Sequence, residues 1–148
     1  MKKKKIVDIE QIAEQIRLTY AHVLKTNLEL FESYKKFKEK MKNEDHKRYF
    51  QLADKYFCDK SGKLKWEHIS NLIPPNLEQN IKEKYPTLRE NEIRLCCLLL
   101  FDVSCFDISE ILPYTQQSVY SVTHKIKKKA GMEDIIPSLR KMLLRVTY

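Results

Sequence analysis

Residues 6–43 contain neither proline nor glycine, and apolar side chains recur among them at steps of three and four. Residues at these steps lie on one face of an α-helix, so the pattern predicts a single helix of 38 residues, about 57 Å long. A helix of this length cannot bury an apolar stripe against itself. It must pair with another chain or fold back on the rest of the protein.

The second half of this helix follows a heptad repeat, in which the core positions alternate steps of three and four. Asn27 falls within the seam, and a single asparagine there favours a two-stranded assembly. We therefore expect self-association through this helix, giving a homodimer, with packing against the same chain as the alternative. The seam consists of Tyr20, Val23, Asn27, Leu30, Tyr34, Phe37 and Met41.

The chain has two glycines and five prolines in 148 residues. Glycine-rich phosphate-binding loops need at least two closely spaced glycines, which excludes the nucleotide-binding folds built on them. Turn-rich β architectures are also disfavoured, whereas helix-forming residues at periodic spacing dominate. We predict an all-α fold in which a long, coiled-coil-like N-terminal helix precedes a small helical bundle.

Prolines and loop-forming residues divide the chain into three segments. Residues 1–65 are predicted to hold the long helix and a helical connector, and to serve in dimerisation. Residues 66–87 form a short helical linker region interrupted by Pro74-Pro75, because a residue before proline is disfavoured in a helix. Residues 88–148 form the C-terminal domain.

The connector is expected to contain one further helix. Its start is predicted at residues 43–45, and a loop follows at residues 59–62, where aspartate, serine and glycine cluster. The apolar stripe predicted for this helix consists of Tyr49, Phe50, Ala53, Tyr56 and Phe57.

The C-terminal segment predicts four helices, at about 89–101, 105–112 and 116–130 and from near Pro137. A three-residue connection ending at Thr115, a good N-cap, joins the second helix to the third, which is the helix-turn-helix arrangement. The residues expected to be buried are Ile93, Cys96, Cys97 and Leu100 in the first helix, Ile108, Ile111 and Leu112 in the second, and Leu139, Met142, Leu143 and Val146 in the fourth.

The third of these helices divides into two faces. Val119, Val122, Ile126 and Ala130 follow helical spacing and form the face predicted to pack. The opposite face is polar and carries no carboxylate, which suits a helix that reads base edges in the major groove. This outer face consists of Gln117, Tyr120, Ser121, His124 and Lys128.

Positive charge is distributed unevenly along the chain, whose net charge is +8. Residues 1–65 hold 17 basic and 10 acidic residues, and residues 111–132 hold four lysines and no aspartate or glutamate. A carboxylate near a phosphate is electrostatically unfavourable, so a surface without carboxylates favours binding of a polyanion.

Residues 88–146 resemble the C-terminal LuxR-type helix-turn-helix of bacterial transcription regulators. The stretch from Tyr85 to Leu98 is similar to the variant found in Bacteroidetes regulators, where the domain often follows a long helix and a sensory region. Asp102 stands where the family usually has glycine, and aspartate tolerates the left-handed conformation that such a turn needs. The residues that carry the resemblance are Asp107-Ile-Ser-Glu-Ile-Leu112, Ser118-Val119, Ile126, Lys129 and Gly131, with Leu88 and Glu92 fitting the start of the family pattern.

The resemblance implies a four-helix domain that binds double-stranded DNA as a sequence-specific transcription regulator. The regulator is expected to be a homodimer joined through the N-terminal helix or the fourth helix, with a sensory protein or RNA polymerase as further partners. Within the third helix, Gln116 and Ser118 are similar to positions that touch phosphate near the helix start. Positions that face bases or adjacent phosphates correspond to Gln117, Tyr120, Ser121 and His124, and positions that follow the backbone correspond to Lys125, Lys127 and Lys128.

The sequence offers little for catalysis. Its four histidines are scattered over separate predicted elements, and its four cysteines include no Cys-x-x-Cys pair at zinc-binding spacing. We therefore predict no enzymatic activity, no metal and no cofactor. Without a secretory signal or an apolar run long enough to span a bilayer, the expected location is the cytoplasm.

Two alternatives to a DNA-binding regulator stay open. The first is a protein-interaction module built on the long helix, whose helix-turn-helix no longer meets DNA. The second is a fragment of a membrane-tethered regulator, in which Lys2–Lys5 adjoin a membrane-spanning segment outside this sequence. In either case the input signal would come from another chain or from a region that this sequence lacks.

Overall fold

Helices and the turns between them make up the described part of the chain, apart from one isolated β-bridge between Cys58 and Leu64. The structure is a computed structural model that describes residues 2–41 and 44–144, with the side chains of residues 9–41 and 46–144. The predicted all-α fold and its long N-terminal helix are confirmed. The elements are α1 (Lys2–Lys40), α2 (Glu44–Phe57), α3 (Trp66–Ser70), α4 (Leu77–Lys84), α5 (Glu90–Leu100), α6 (Cys105–Ile111), α7 (Gln116–Ala130), α8 (Ile135–Arg140) and a 3₁₀ turn (Lys141–Leu144).

One face of α1 packs against the C-terminal part of the same chain. Leu24, Leu28 and Phe31 belong to the main hydrophobic cluster, and α1 contacts both α8 and the 3₁₀ turn. Tyr20 packs against Phe101, with ring centroids 5.6 Å apart. Along this face the long helix therefore folds back on its own chain, which was the alternative to pairing with another chain.

The buried face of α1 is rotated from the predicted heptad seam. It is centred on Arg17, Leu24 and Phe31, each one residue after a position of the heptad pattern. The heptad repeat predicts that a strip of α1 is covered, but it does not identify the covering surface. The core of the same chain packs against the neighbouring face of α1 instead. Of the seam residues, Tyr20, Tyr34 and Met41 are half-buried, whereas Val23, Asn27, Leu30 and Phe37 are exposed. Dimerisation through α1 stays a prediction.

Helix α2 packs against the C-terminal half of α1 through aromatic rings. The ring of Tyr34 lies 6.2 Å from that of Phe50 and 5.5 Å from that of Phe57, measured between centroids. The Tyr34 hydroxyl donates a hydrogen bond of 2.9 Å to Asp54 Oδ1, and the second oxygen of the same carboxylate accepts one from Lys38. These contacts fix the connector on α1.

The predicted apolar stripe of α2 is only partly buried. Phe50, Ala53 and Phe57 face α1 as expected. Tyr49 and Tyr56, which belong to the same stripe, are largely exposed. Helix α2 packs on α1 along one side and reaches α3 only near its C-terminal end, where the ring of Tyr56 lies 4.9 Å from that of His68, so its contact stripe is narrow. The predicted start of this helix falls partly on Asn43, which lies outside the described residues.

The loop predicted at residues 59–62 is confirmed. Asp59 Oδ1 accepts hydrogen bonds from the backbone N–H groups of Ser61 and Lys63, and Gly62 takes a positive φ of 83°. The loop aims Lys63 at the end of α6, where its ammonium donates to the carbonyls of Ser109 and Leu112 at 2.8 and 2.6 Å. A lysine at a helix C-terminus satisfies carbonyls that have no partner within the helix.

The four C-terminal helices lie close to their predicted bounds. Helix α7 spans the predicted residues, and α5 and α6 differ from prediction by one residue at their ends. Helix α8 begins at Ile135 rather than near Pro137, because proline is tolerated in the first turn, where its missing N–H has no helical partner. The residues predicted to be buried are confirmed as buried, except Val146, which lies outside the described residues.

A cluster of charged groups joins α1 to the C-terminal helices. Arg17 is only 7% exposed, and its Nη1 donates to Asp102 Oδ2 at 2.8 Å and to the carbonyl of Leu100 at 3.2 Å. Its Nε donates to Glu14 Oε1 at 2.8 Å, and Glu14 also accepts from Arg140 of α8 at 3.2 Å. Buried charges of this kind are stable only when they are paired and hydrogen-bonded.

A single buried cluster connects residues of α1 with residues of the C-terminal helices. The proposed division into residues 1–65, 66–87 and 88–148 stays a prediction. None of the helices in residues 2–41 and 44–144 combines the length and apolar character needed to cross a membrane.

Candidate nucleic-acid interface

Helix α7 is fixed at both ends by local capping. The Thr115 side chain accepts a hydrogen bond of 3.1 Å from the backbone N–H of Ser118, which confirms the predicted N-cap. At the other end, Gly131 takes a φ of 68°, the left-handed conformation that favours glycine after a helix. These two residues define where the helix begins and ends.

One face of α7 is held in the core. Val119 and Ile126 are buried, and Val122 and Ala130 are half-buried against the same cluster, as the sequence predicted. Helix α6 packs directly against α7. Burying one side of α7 leaves the opposite side facing outward, which determines the direction in which the candidate residues point.

Most of the predicted site residues lie on the outward side of α7. Tyr120 is 73% exposed. Ser118 and Lys127 are half-buried at the edges of this face. The exposed members of the set are Gln116, Gln117, Tyr120, Ser121, His124, Lys125 and Lys128.

The serine hydroxyls of this face bond to the helix itself. Ser118 Oγ donates to the carbonyl of Thr115, and Ser121 Oγ donates to the carbonyl of Ser118, each at 3.0 Å. With the donor hydrogens used in this way, each oxygen still has lone pairs that can accept a hydrogen bond.

The lysines of α7 differ in their electrostatic surroundings. Lys127 lies 3.3 Å from Asp134 and Lys129 lies 2.8 Å from Glu92, so both are paired within the chain. Among the described residues, Lys125 and Lys128 form no ion pair. The predicted phosphate-binding role of Lys127 therefore has to compete with Asp134, whereas Lys125 and Lys128 offer unpaired positive charge.

Glu92 links the start of α5 to the end of α7. Its Oε1 accepts hydrogen bonds from Lys129 and from the backbone N–H of Arg89, both at 2.8 Å. Burial opposes ionisation of Glu92, but these two donors outweigh it and hold its pKa below the usual value. This carboxylate beside the end of α7 is thus already paired with a lysine.

Sequence reasoning missed two further features beside the outward face. Tyr120 contacts Cys105 of α6, and this contact raises the pKa of the phenol. A tyrosine hydroxyl is in any case a neutral donor near pH 7. A cleft of about 620 Å³ beside α7 is lined by Arg89, Tyr114 and Lys125, together with Glu90 and Glu92. The sequence did not indicate that Arg89, which precedes α5, lies beside α7, because the two are far apart along the chain.

No group of three or more His, Cys, Asp or Glu side chains within the described ranges could hold a metal ion. No family model, no curated protein and no solved structure matches the chain. The function proposed below therefore rests on the geometry and charge of α7 and its surroundings.

Proposed function

We propose that the protein is a sequence-specific DNA-binding transcription regulator of the LuxR type, which acts as a homodimer and inserts α7 into the major groove of double-stranded DNA. The observation that carries the proposal is the two-sided character of α7. Its apolar side is held in the core, while its outward side is exposed, polar and free of carboxylates.

The dimensions of α7 suit the major groove. An α-helix with its side chains is about 10–12 Å across, and the groove is about 12 Å wide. Gln117 projects from the first turn of α7, and glutamine can form two hydrogen bonds with adenine in the major groove. Tyr120 follows one turn later as a neutral donor. These side chains are the proposed readers of base sequence.

Phosphate binding is assigned to the two unpaired lysines and to the start of α7. Lys125 and Lys128 supply positive charge towards the C-terminal half of the helix. Ser118 and Gln116 lie at the N-terminus, where backbone N–H groups and the helix dipole favour an anion. Contacts of this kind orient a protein on DNA and supply most of its salt-dependent affinity.

The test begins with selection of genomic DNA fragments by the purified protein at two salt concentrations. We expect a defined set of fragments to be enriched, with weaker retention at the higher salt concentration. Failure to retain any fragment at low salt, with the protein folded, would contradict the proposal. That result would favour the alternative of an interaction module built on α1, whose exposed apolar residues are consistent with it.

Substitutions then separate the contacts with phosphates from the contacts with bases. Replacing Lys125 and Lys128 by alanine should weaken binding to selected and unselected DNA alike, and should lower the salt slope by roughly 0.9 for each phosphate that is no longer neutralised. Gln117→Ala should weaken binding only to selected DNA, by about 1–3 kcal/mol. Lys60→Ala and Gln51→Ala, which replace exposed residues outside α7, are the matched controls and should change neither quantity.

A further inference from the structure

Helix α1 carries a second strip that lies mostly outside the face that packs on its own chain. Ile16 borders the main hydrophobic cluster, and the ring of Phe37 lies 6.0 Å from that of Phe50 in α2. The nine positions of the strip alternate steps of three and four, and none of them is charged. Leu30 within the strip is 63% exposed, and Ile16 is half-buried. We call this the outer strip; it consists of Ile9, Ile12, Ile16, Thr19, Val23, Thr26, Leu30, Ser33 and Phe37.

The outer strip points away from the core. With 3.6 residues per turn, its centre lies about 130° around the helix axis from the buried face formed by Arg17, Leu24 and Phe31. From Ile9 to Phe37 it extends about 42 Å. An uninterrupted heptad repeat of uncharged residues is the pattern of a helix that pairs with another helix.

From Ile16 to Phe37, large and small side chains alternate along this strip. Positions seven apart, such as Val23 and Leu30, are large and apolar, and the positions between them, such as Thr19 and Thr26, are small. In a parallel pair in register, large residues would meet large and small would meet small. In an antiparallel pair centred on the middle of the strip, each large residue from Ile16 to Leu30 lies beside a small one, and Phe37 lies beside Ile12.

We propose that the outer strip pairs with the outer strip of a second copy of this chain, with the two α1 helices antiparallel and centred between Val23 and Thr26. In this register Val23 faces Thr26 of the second copy, Leu30 faces Thr19, and Ile16 faces Ser33. The contact is isologous, because both copies use the same residues about a two-fold axis. This proposal rests on the proposed function, in which the protein acts as a homodimer, and it assigns the surface through which the two copies pair.

The polar groups along the outer strip are compatible with a covered seam. Thr19 Oγ1 donates to the carbonyl of Gln15 at 2.8 Å, so its methyl group is free to face a partner. Asn27 Nδ2 donates to the carbonyl of Val23 at 2.8 Å. Each of these two donor groups is already hydrogen-bonded within α1. This lowers the free-energy cost of burying the side chains in a seam.

The charges beside the strip also fit this register. His22 of one copy lies near Glu29 of the second, and Lys36 lies near the neutral Gln15. No like charges face each other along this edge. With its flanking residues the seam involves about 20 residues of each copy, which is at the lower end of a stable protein interface. The length and chemistry of the strip therefore suffice for a second copy of the chain.

The first test measures the mass of the full chain in solution without DNA, by sedimentation at several concentrations. The wild-type protein should be a dimer. Leu30→Glu should raise the dimer dissociation constant roughly 100-fold or more, because two carboxylates per dimer would enter an apolar seam. Leu18→Glu replaces an exposed leucine of α1 outside the strip and should leave the mass unchanged. A monomeric wild-type protein, or equal effects of the two substitutions, would overturn the proposal.

The second test determines the direction of pairing. Two variants, Thr19→Cys and Leu30→Cys, are made in a background with Cys58→Ser and Cys105→Ser, and one of them carries a mass tag. Each variant is oxidised alone, and the two are then oxidised as a mixture. In the antiparallel register, identical positions of the two copies lie about 16 Å apart along the helix axis, too far for a disulfide, whereas Thr19 of one copy lies beside Leu30 of the other. Only the mixture should form cross-linked dimers.

Cross-linking of either variant alone would indicate parallel helices. Absence of cross-linking in the mixture would place the interface elsewhere. Either result would overturn the proposed register. Neither measurement involves DNA. A monomer that still binds selected fragments would refute the outer strip as an interface and leave DNA binding by α7 intact.

Discussion

Asp102 has a φ of 60°, a left-handed backbone that few residues other than glycine adopt at little energetic cost. Its carboxylate also binds Arg17, so the side chain serves the turn and the contact with α1 at once. Asp102→Ala removes both contributions and should lower the free energy of unfolding by about 1–2 kcal/mol. Asp102→Gly restores the backbone freedom and should lose less. Urea denaturation of both variants checks this order, and an alanine variant as stable as the glycine variant would contradict it.

Glu14 makes the stability depend on pH in the acid range. Hydrogen bonds from Arg17, opposed by partial burial and reinforced by Arg140, lower the pKa of Glu14 from 4.5 to about 2. A lowered pKa means that the stabilisation is fully present above pH 4.5 and is lost as the pH falls towards 2. Glu14→Gln should therefore be less stable than wild type at pH 7, by about 1–3 kcal/mol, and the difference should shrink in acid.

Urea denaturation of both proteins at about pH 7 and at steps down to about pH 2.5 measures this difference. A gap that stays constant over the acid range would show that ionised Glu14 does not contribute to folding. Arg17, which organises this cluster, gave no signal in the sequence, because its partners Leu100 and Asp102 lie more than eighty positions away.

At the scale of the elements, local signals predicted α7 better than α1. The ends of α7 are set by Thr115 and Gly131, whose capping chemistry acts within one turn and is visible in the sequence. The face that α1 buries depends on which other helices reach it. Two apolar strips run along α1, and spacing alone does not tell which strip meets the core of the same chain.

The buried and exposed sides of α1 predict different effects of leucine truncation. Leu24 is fully buried, so Leu24→Ala should lower the free energy of unfolding by about 2–5 kcal/mol. Leu18→Ala, on the exposed side of the same helix, should change it by no more than about 0.5 kcal/mol. Thermal or urea denaturation followed by circular dichroism provides both values. Similar losses for the two variants would mean that α1 does not pack on its own chain through this face.

At the scale of the whole molecule, contacts distant in sequence decide how the parts of the chain depend on one another. Lys63 caps α6, Arg17 reaches the turn after α5, and Lys129 binds Glu92. The sequence predicted which residues of α7 face outward, because helical periodicity determines faces. It did not predict that Lys127 and Lys129 are paired while Lys125 and Lys128 form no ion pair with the described residues, since ion pairs depend on the packing of other elements.

These contacts make the described chain a candidate for one cooperative unit rather than separate segments. Leu24 and Phe31 of α1 share a buried cluster with Leu139 and Leu143, so unfolding the C-terminal helices would expose α1 as well. Trp66 reports on a different region, since its Nε1 donates to Glu78 of α4 at 2.8 Å. The far-ultraviolet circular dichroism signal reports on all the helices. It should therefore follow the same urea transition as the fluorescence of Trp66. Two separate midpoints would instead support independent units divided near residue 66, as the sequence predicts.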